Sequence, residues 1–483
     1  MSESLVDQIP NELLTEIFTY FIDSRETAKI VSNVCHRFEN IMKYDHLFAQ
    51  YLCANNWCFG AVARQLQTLE NNFCIHSISM EMRYNDNLNL NKDDAKRLAQ
   101  LLKNMTNVHS INLQGNKIAN PGIRYLAEEL KTNTTVHYLN LRNNQICGKG
   151  MDYIGKMLMV NTAIKKLYLN NNFIEDKGVA YLKAALSTNT NIDMLILNNT
   201  GITDTGARDI AEIIEKNSNI HTLILRDNKI RNTGMIALFA ALRNNHSIHT
   251  FDLSHNYIYC TFDNITDALK QNTTIRNLNL RNCGIHNNGA RYLSEVLAIN
   301  TTIQILNLSD NNIEPEGAKL LYEGLLLNTS ICELNLEDNR FGFEGAKRMA
   351  ELLEINFAIK SLNLNSNKIT VNAFKRIAQA LTRNSTLETL SIYDNDISDN
   401  GIRYIANALE QNQTLKALFI GTKEMKRVMY DNLSDYGVRY ECDDAKIDKY
   451  YKNIFYFGKY CLTDEGMQIY QQIRTNRPDM MIY

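Results

Sequence analysis

The sequence predicts an α/β fold, a solenoid of parallel strands backed by helices, and three observations predict it. The pattern I-x-x-L-x-L-x-x-N-x-I is written eleven times in register between Val108 and Asn412. Its two leucines alternate with polar residues, the period of a half-buried strand. Each copy is followed by apolar residues at helical spacing. The copies begin at Val108, Val136, Ile164, Ile192, Ile220, Ile248, Ile275, Ile303, Ile331, Ile359 and Leu387. Only the step from Ile248 to Ile275 is 27 residues; the others are 28.

In the copy VHYLNLRNNQI, Leu139 and Leu141 alternate with Asn140 and Arg142, so the strand is short. After Gly150, Tyr153, Ile154, Met157 and Leu158 form the stripe of a helix that covers its neighbour. A single strand-helix pair cannot bury its own apolar face, so the units must stack. Asn holds the ninth place at Asn116, Asn144, Asn172, Asn228, Asn256, Asn311, Asn339, Asn367 and Asn395. An amide both donates and accepts, so there it can satisfy backbone groups that turn away from the ladder. Thr200 and Cys283 replace it, which predicts a looser or re-bonded stack at those two places. Asn133, Asn161, Asn189, Asn217, Asn272, Asn300 and Asn328 close the helices and are expected to be C-caps with positive φ.

These residues resemble the leucine-rich repeat family, and the 28-residue unit with a helix resembles its ribonuclease-inhibitor subclass. The resemblance covers about two thirds of the chain. It implies a right-handed horseshoe with a parallel concave sheet and outer helices, curved because a helix is wider than the ~4.8 Å between strands. Eleven strands at that spacing give an inner arc of about 50 Å, the scale of a protein partner.

Ahead of the repeats, Leu13, Leu14, Ile17, Phe18 and Phe21 follow Pro10 at helical spacing. A second stripe of Ile30, Val31, Val34, Phe38 and Ile41 follows Asp23 and Ser24, which can cap a helix start. Residues 5–52 resemble an F-box, the adaptor-binding module of cullin-RING ubiquitin ligases. The match runs through Ile9-Pro10, Glu12-Leu13-Leu14, Ile17-Phe18, Val34-Cys35-His36-Arg37-Phe38 and Leu47-Phe48, with Phe48 where the family usually carries Trp. The resemblance implies a small all-α bundle in which Pro10, Leu13, Leu14 and Ile17 pack on a Skp-type adaptor. The alternative is a helical cap over the first repeat, because a solenoid must hide its ends.

The expected organisation is therefore an F-box-like domain at 1–52, a connector and degenerate cap repeat at 53–107, eleven repeats at 108–414, and degenerate repeats with a C-terminal cap at 415–483. The degenerate first repeat reads as a strand from Met80 and a helix near Ala95 to Leu102. At the far end, LTDEGMQIYQQI from Leu462 is similar to ITDTGARDIAEI from Ile202, and nine of the 24 Tyr fall from Tyr430 onward. Tyrosines that cover the last core layer while keeping their hydroxyls wet suit a cap.

Lys+Arg 51 against Asp+Glu 53 gives a net charge of -2, which argues against a nucleic-acid-coating or polybasic membrane role. The ten Cys include no C-x-x-C, and Cys53 and Cys58 have no companion pair for zinc, so free thiols in a reducing compartment are expected. N-x-[ST] triplets at Asn104, Asn133, Asn272 and Asn300 follow the repeat period, which explains them structurally. No signal-like start and no long apolar run is present, so a cytoplasmic or nuclear location is expected, host cytoplasm if the protein is a pathogen effector.

Side chains flanking the strand leucines should face a partner. Tyr138, Arg142, Lys166, Tyr168, Arg226 and Arg281 stand in the earlier repeats, with Ile196 and Ile224 as exposed apolar points and Asp227 and Asp252 as minority charges. Asp310, Glu333, Glu337, Asp338 and Asp394 stand in the later ones, with Tyr393 and Phe419. Tyr138, Arg142, Tyr168 and Arg226 are the expected anchors, since aromatic and Arg side chains carry most interface energy. Opposite charge along the face would orient a partner. No phosphate-loop, zinc-protease or nucleophile-elbow motif occurs, so no catalysis, cofactor or metal is expected. His109, His137, His221 and His249 share the second place, where neighbours could stack.

The sequence thus reads first as a substrate receptor of an SCF-type ligase, binding a Skp-type adaptor and cullin at one end and an unknown protein target along the sheet. A plain interaction scaffold or inhibitor is the second reading. A Ran-type GTPase-activating protein is the third, ranked last because the acidic tail of those proteins is missing.

Overall fold

The computed structural model describes residues 77–79, 90–103, 107–258, 262–420, 464–477 and 481–482. The F-box-like segment, with Pro10, Leu13, Leu14 and Ile17, lies outside the described residues. The chain divides into two compact units, Met1–Ala241 and Leu242–Tyr483.

The first unit alternates strand and helix. Its elements are β1 (Ser77–Ser79), α1 (Lys92–Leu102), β2 (Ser110–Asn112), α2 (Ala119–Leu130), β3 (Tyr138–Asn140) and α3 (Gly148–Leu158). They continue with β4 (Lys166–Tyr168), α4 (Glu175–Leu186), β5 (Met194–Ile196), α5 (Asp204–Lys216), β6 (Thr222–Ile224) and α6 (Asn232–Arg243), the division falling inside α6. The strands pair in parallel in chain order, each leucine beside the leucine of the next copy: Leu139 with Leu167, Leu167 with Leu195, Leu195 with Leu223. β1 falls at Ser77–Ser79, ahead of the expected start at Met80, and pairs with β2.

The second unit repeats the plan through β7 (Thr250–Asp252), α7 (Phe262–Gln271), β8 (Asn277–Asn279), α8 (His286–Leu297), β9 (Ile305–Asn307), α9 (Pro315–Leu325), β10 (Glu333–Asn335) and α10 (Gly342–Ile355). It ends with β11 (Ser361–Asn363), α11 (Val371–Leu381), β12 (Thr389–Ser391), α12 (Asp399–Leu409), β13 (Ala417–Phe419), α13 (Asp464–Asn476) and β14 (Met481–Ile482). Its strands are again parallel and in chain order. Each unit is thus a parallel α/β solenoid.

The pattern's apolar places make the core between the strand and helix layers. In one copy Ile164, Leu167, Leu169 and Ile174 are all fully buried. The glycine near each helix start allows the helix to approach its neighbour: at Gly122 a Cβ would lie 2.5 Å from Ile118 Cγ2 and 3.0 Å from Ala95 Cβ.

The ninth-place amides stitch copy to copy. Asn172 Nδ2 donates to the Leu141 carbonyl at 2.9 Å, while its Oδ1 accepts from the backbone N–H of Asn144 at 2.9 Å and of Ile146 at 3.0 Å. Asn339, Asn367 and Asn395 donate in the same way to Leu308, Leu336 and Leu364. The two exceptions are re-bonded. Thr200 donates its hydroxyl to the Leu197 carbonyl at 2.8 Å, and the buried Cys283 thiol points at the Leu253 carbonyl at 3.4 Å.

The helix-end asparagines are not positive-φ caps. Asn217 is extended, at φ -104°, and positive φ falls instead on the residue before each ninth place, such as Asn143, Asn171, Asp227, Asp310 and Asp394, at 52–58°. Their side chains bridge adjacent copies. Asn189 Nδ2 donates to the carbonyls of Leu158 at 2.7 Å and Asn161 at 2.8 Å, and its Oδ1 accepts from Asn191 N–H at 2.9 Å. A residue that must reach two carbonyls of the preceding copy is held extended, which is why the left-handed cap does not form. Asn272 and Asn300 are buried by this role, which accounts for their N-x-[ST] triplets.

The last copy does the same with a different residue. Arg477, following α13, donates to the carbonyls of Asn412 at 2.7 Å, Leu415 at 3.1 Å and Leu409 at 3.4 Å.

Candidate partner-binding face

In each unit the residues on either side of the central strand leucine turn away from the helix layer. In the first unit this places Tyr138 and Lys166 side by side in register, with Lys166 next to Met194, and Tyr168 next to Ile196 and then Ile224. The Tyr138 and Tyr168 rings pack at 5.0 Å between centroids, tilted by 44°. Tyr168 donates its hydroxyl to Met194 Sδ at 3.1 Å, and burial pushes its phenol pKa up.

Tyr138, Arg142, Lys166 and Tyr168 are half-buried and Arg226 is exposed, bound through Nε to Asp227 at 2.8 Å. These five expected site residues share one sheet face. Glu337 and Tyr393 belong to the second unit, both half-buried; Glu337 accepts from Asn363 Nδ2 at 3.2 Å beside the exposed Glu333 and Asp338.

Ile196 and Ile224 are not exposed apolar points. They are 8% and 3% exposed and pack with Met194 against Tyr168. Strands ~4.8 Å apart bring equivalent side chains into lateral contact, so three apolar neighbours in successive copies cover one another. Asp252 is also buried, accepting from Ser254 N–H at 2.8 Å.

The cluster interrupts a second amide series. Asn112, Asn140, Asn279, Asn307, Asn335 and Asn363 share the pattern's fifth place, and each accepts from the backbone N–H two residues on, at 3.0–3.1 Å. Tyr168, Ile196 and Ile224 stand in that place in three consecutive copies. The periodic Asn was visible in the sequence; its loss at three neighbours is the signal that marks the apolar cluster.

At the second place, His109 and His137 do stack, edge to face at 5.6 Å. His221 has an acidic companion that was not expected, its Nδ1 lying 2.7 Å from Asp193 Oδ1. Among the described residues, no group of three or more His, Cys, Asp or Glu could hold a metal ion. Nor is any described helix long and apolar enough to cross a membrane.

Six segments, residues 104–127, 132–155, 216–239, 271–294, 300–321 and 383–406, match the Leucine Rich repeat family model. These are leucine-rich repeats. The leucine-rich repeat is a non-catalytic interaction module, and its open sheet face suits protein contacts. No significant match to a curated protein sequence was found. Among solved structures, the repeats are similar to leiomodin-1 actin-binding site 2, at 20% identity over 37% of this chain and 99% of that one, TM-score 0.29. An internalin (InlF) from Listeria monocytogenes is 18% identical over 74% of this chain and 94% of its own, TM-score 0.43. The yeast Rad7 and Elc1 complex gives 17% identity over 83% and 94%, TM-score 0.46.

Proposed function

We propose that the chain is a non-catalytic recognition module whose leucine-rich repeats hold a protein partner on the first unit's open sheet face. The contact between the Tyr138 and Tyr168 rings carries this reading, with Arg142, Lys166 and Arg226 on the same face. Two amphipathic aromatics beside basic side chains are the composition of an interface hot spot. The basic rim favours an acidic partner segment. Capture of interacting proteins by the wild type and by a Tyr138→Ala/Arg226→Ala variant tests it. Proteins retained by the first and lost by the second support the reading; identical captured sets refute it.

A finer reading rests on the F-box-like residues 5–52, through Ile9-Pro10, Leu13-Leu14 and Val34-Cys35-His36-Arg37-Phe38. In it the chain is the substrate receptor of an SCF-type ligase, with Pro10, Leu13, Leu14 and Ile17 on a Skp-type adaptor and the target on ribonuclease-inhibitor-like repeats. Proximity is then the mechanism, because a tethered target meets the ligase's ubiquitin carrier at raised effective concentration. The location would be cytoplasmic or nuclear, or host cytoplasm for an effector. Purified Skp adaptor and cullin should bind the full chain and fail to bind Leu13→Asp/Leu14→Asp; equal binding by both removes the ligase reading and leaves the recognition module.

A further inference from the structure

Three consecutive repeats of the second unit carry exposed apolar side chains where helix gives way to strand. Ile299, Leu327 and Ile355 stand immediately before the bridging Asn300, Asn328 and Asn356, 28 residues apart, and are 58%, 79% and 51% exposed. Leu326 and Phe357 beside them are exposed as well. In the other described repeats of this unit the same place holds Asn244, Gln271, Arg383 and Gln411, all polar.

The bridges fix these three side chains in a row. Asn328 Nδ2 donates to Leu297 O at 2.8 Å and Asn300 O at 3.1 Å, and Asn356 Nδ2 to Leu325 O at 3.1 Å and Asn328 O at 2.9 Å. Gly324 lets α9 close on α8, since a Cβ there would lie 2.5 Å from the Ser294 carbonyl oxygen. Packed helices lie ~8–10 Å apart, so the row spans roughly 20 Å. On a partner helix, residues seven apart are separated by ~10.5 Å, which matches the step.

Two other occupants fit worse. Five side chains of about 150–200 Å² each, exposed by 37–79%, leave on the order of 500 Å². A stable dimer needs ~800 Å² from each partner. Segments 298–302, 326–330 and 354–358 hold no basic residue, and their one charge, Glu354, is paired with Arg383 at 2.9 Å, whereas surfaces that lie on anionic lipid pair apolar with basic side chains. We infer that this edge receives an amphipathic α-helix of a partner protein, laid across the ends of α8, α9 and α10 with an apolar residue at every seventh position and uncharged flanks.

The surface is separate from the strand face, so it is tested independently of the reading above. The probe is a fluorescein-labelled helical peptide of about 18 residues, long enough to span the row, with leucines seven apart on an uncharged Gln/Ser/Ala background. A peptide of the same composition with shuffled leucines is the control. With the full chain, anisotropy should rise for the patterned peptide alone, and Leu327→Asp/Ile355→Asp should weaken binding at least about tenfold. Tyr168→Ala should leave it unchanged. Leu327→Ser/Ile355→Ser, milder at exposed positions, repeats the test if the aspartates lower the melting temperature. Equal binding of both peptides, no binding, or binding unaffected by both variants overturns the inference. So does a wild-type dimer in light scattering that Leu327→Asp dissolves, or co-sedimentation with phosphatidylcholine/phosphatidylserine vesicles that Leu327→Asp abolishes.

Discussion

Arg477 donates a 2.7 Å hydrogen bond to the carbonyl of Asn412, an acceptor equivalent to the one that Asn384 offers to the Asn412 amide in the copy before. A guanidinium thus stands in for the helix-end asparagine, reaching two carbonyls of the previous helix end and a third at Leu415.

Arg477→Ala should destabilise the end of the second unit by about 3 kcal/mol, since it orphans buried carbonyls. Arg477→Lys should recover only part, because one ammonium cannot reproduce the guanidinium fork. Hydrogen exchange across 399–420 is the measurement; unchanged protection in Arg477→Ala would remove the capping role.

Ile224→Ala should lower stability by about 2–3 kcal/mol, a core-like value, although the residue lies on the strand face turned away from the helices. A solvated apolar point would change it by no more than about 0.5 kcal/mol, and urea denaturation distinguishes the two.

Thr200→Asn should stabilise the first unit by about 1 kcal/mol, because an amide there can both donate to the Leu169 carbonyl and accept from the preceding turn as Asn172 does. A lowered urea midpoint would show that the threonine is fitted to its place.

Cys147 and Cys283 should separate in an alkylation series. Burial opposes the Cys147 thiolate, but the N–H groups of Lys149 and Gly150 and the Asn120 amide outweigh it, leaving the thiol pKa lowered. Burial raises that of Cys283. Iodoacetamide should therefore modify Cys147 progressively from below pH 9 in the folded protein while Cys283 stays protected. A raised folded pKa means that the neutral Cys283 thiol supports the fold below the unfolded thiol's pKa, and that this support is lost as pH rises beyond it. Mass spectrometry of labelled peptides reads the order; faster labelling of Cys283 would contradict it.

Much of the fold was legible because the repeat fixes which side of each strand faces the helices: Leu139, Leu167 and Leu195 are core from their alternation alone. Lateral contact was not legible. The period places Ile196 on the open face but is silent on whether Tyr168 and Ile224 cover it. The helix-end asparagines were misread because their acceptors lie 28 and 31 residues back, beyond any local capping rule. Arg477 lies 65 residues from Asn412, too far out of register to be matched to it.

The bridging amides point one way along the chain. Asn161, Asn189 and Asn217 each donate to carbonyls of the copy already made, never to one still to come. A polypeptide leaving the ribosome would therefore find every acceptor waiting. The repeats can settle in order of synthesis, each new turn of the coil docking on a finished template instead of awaiting the far terminus.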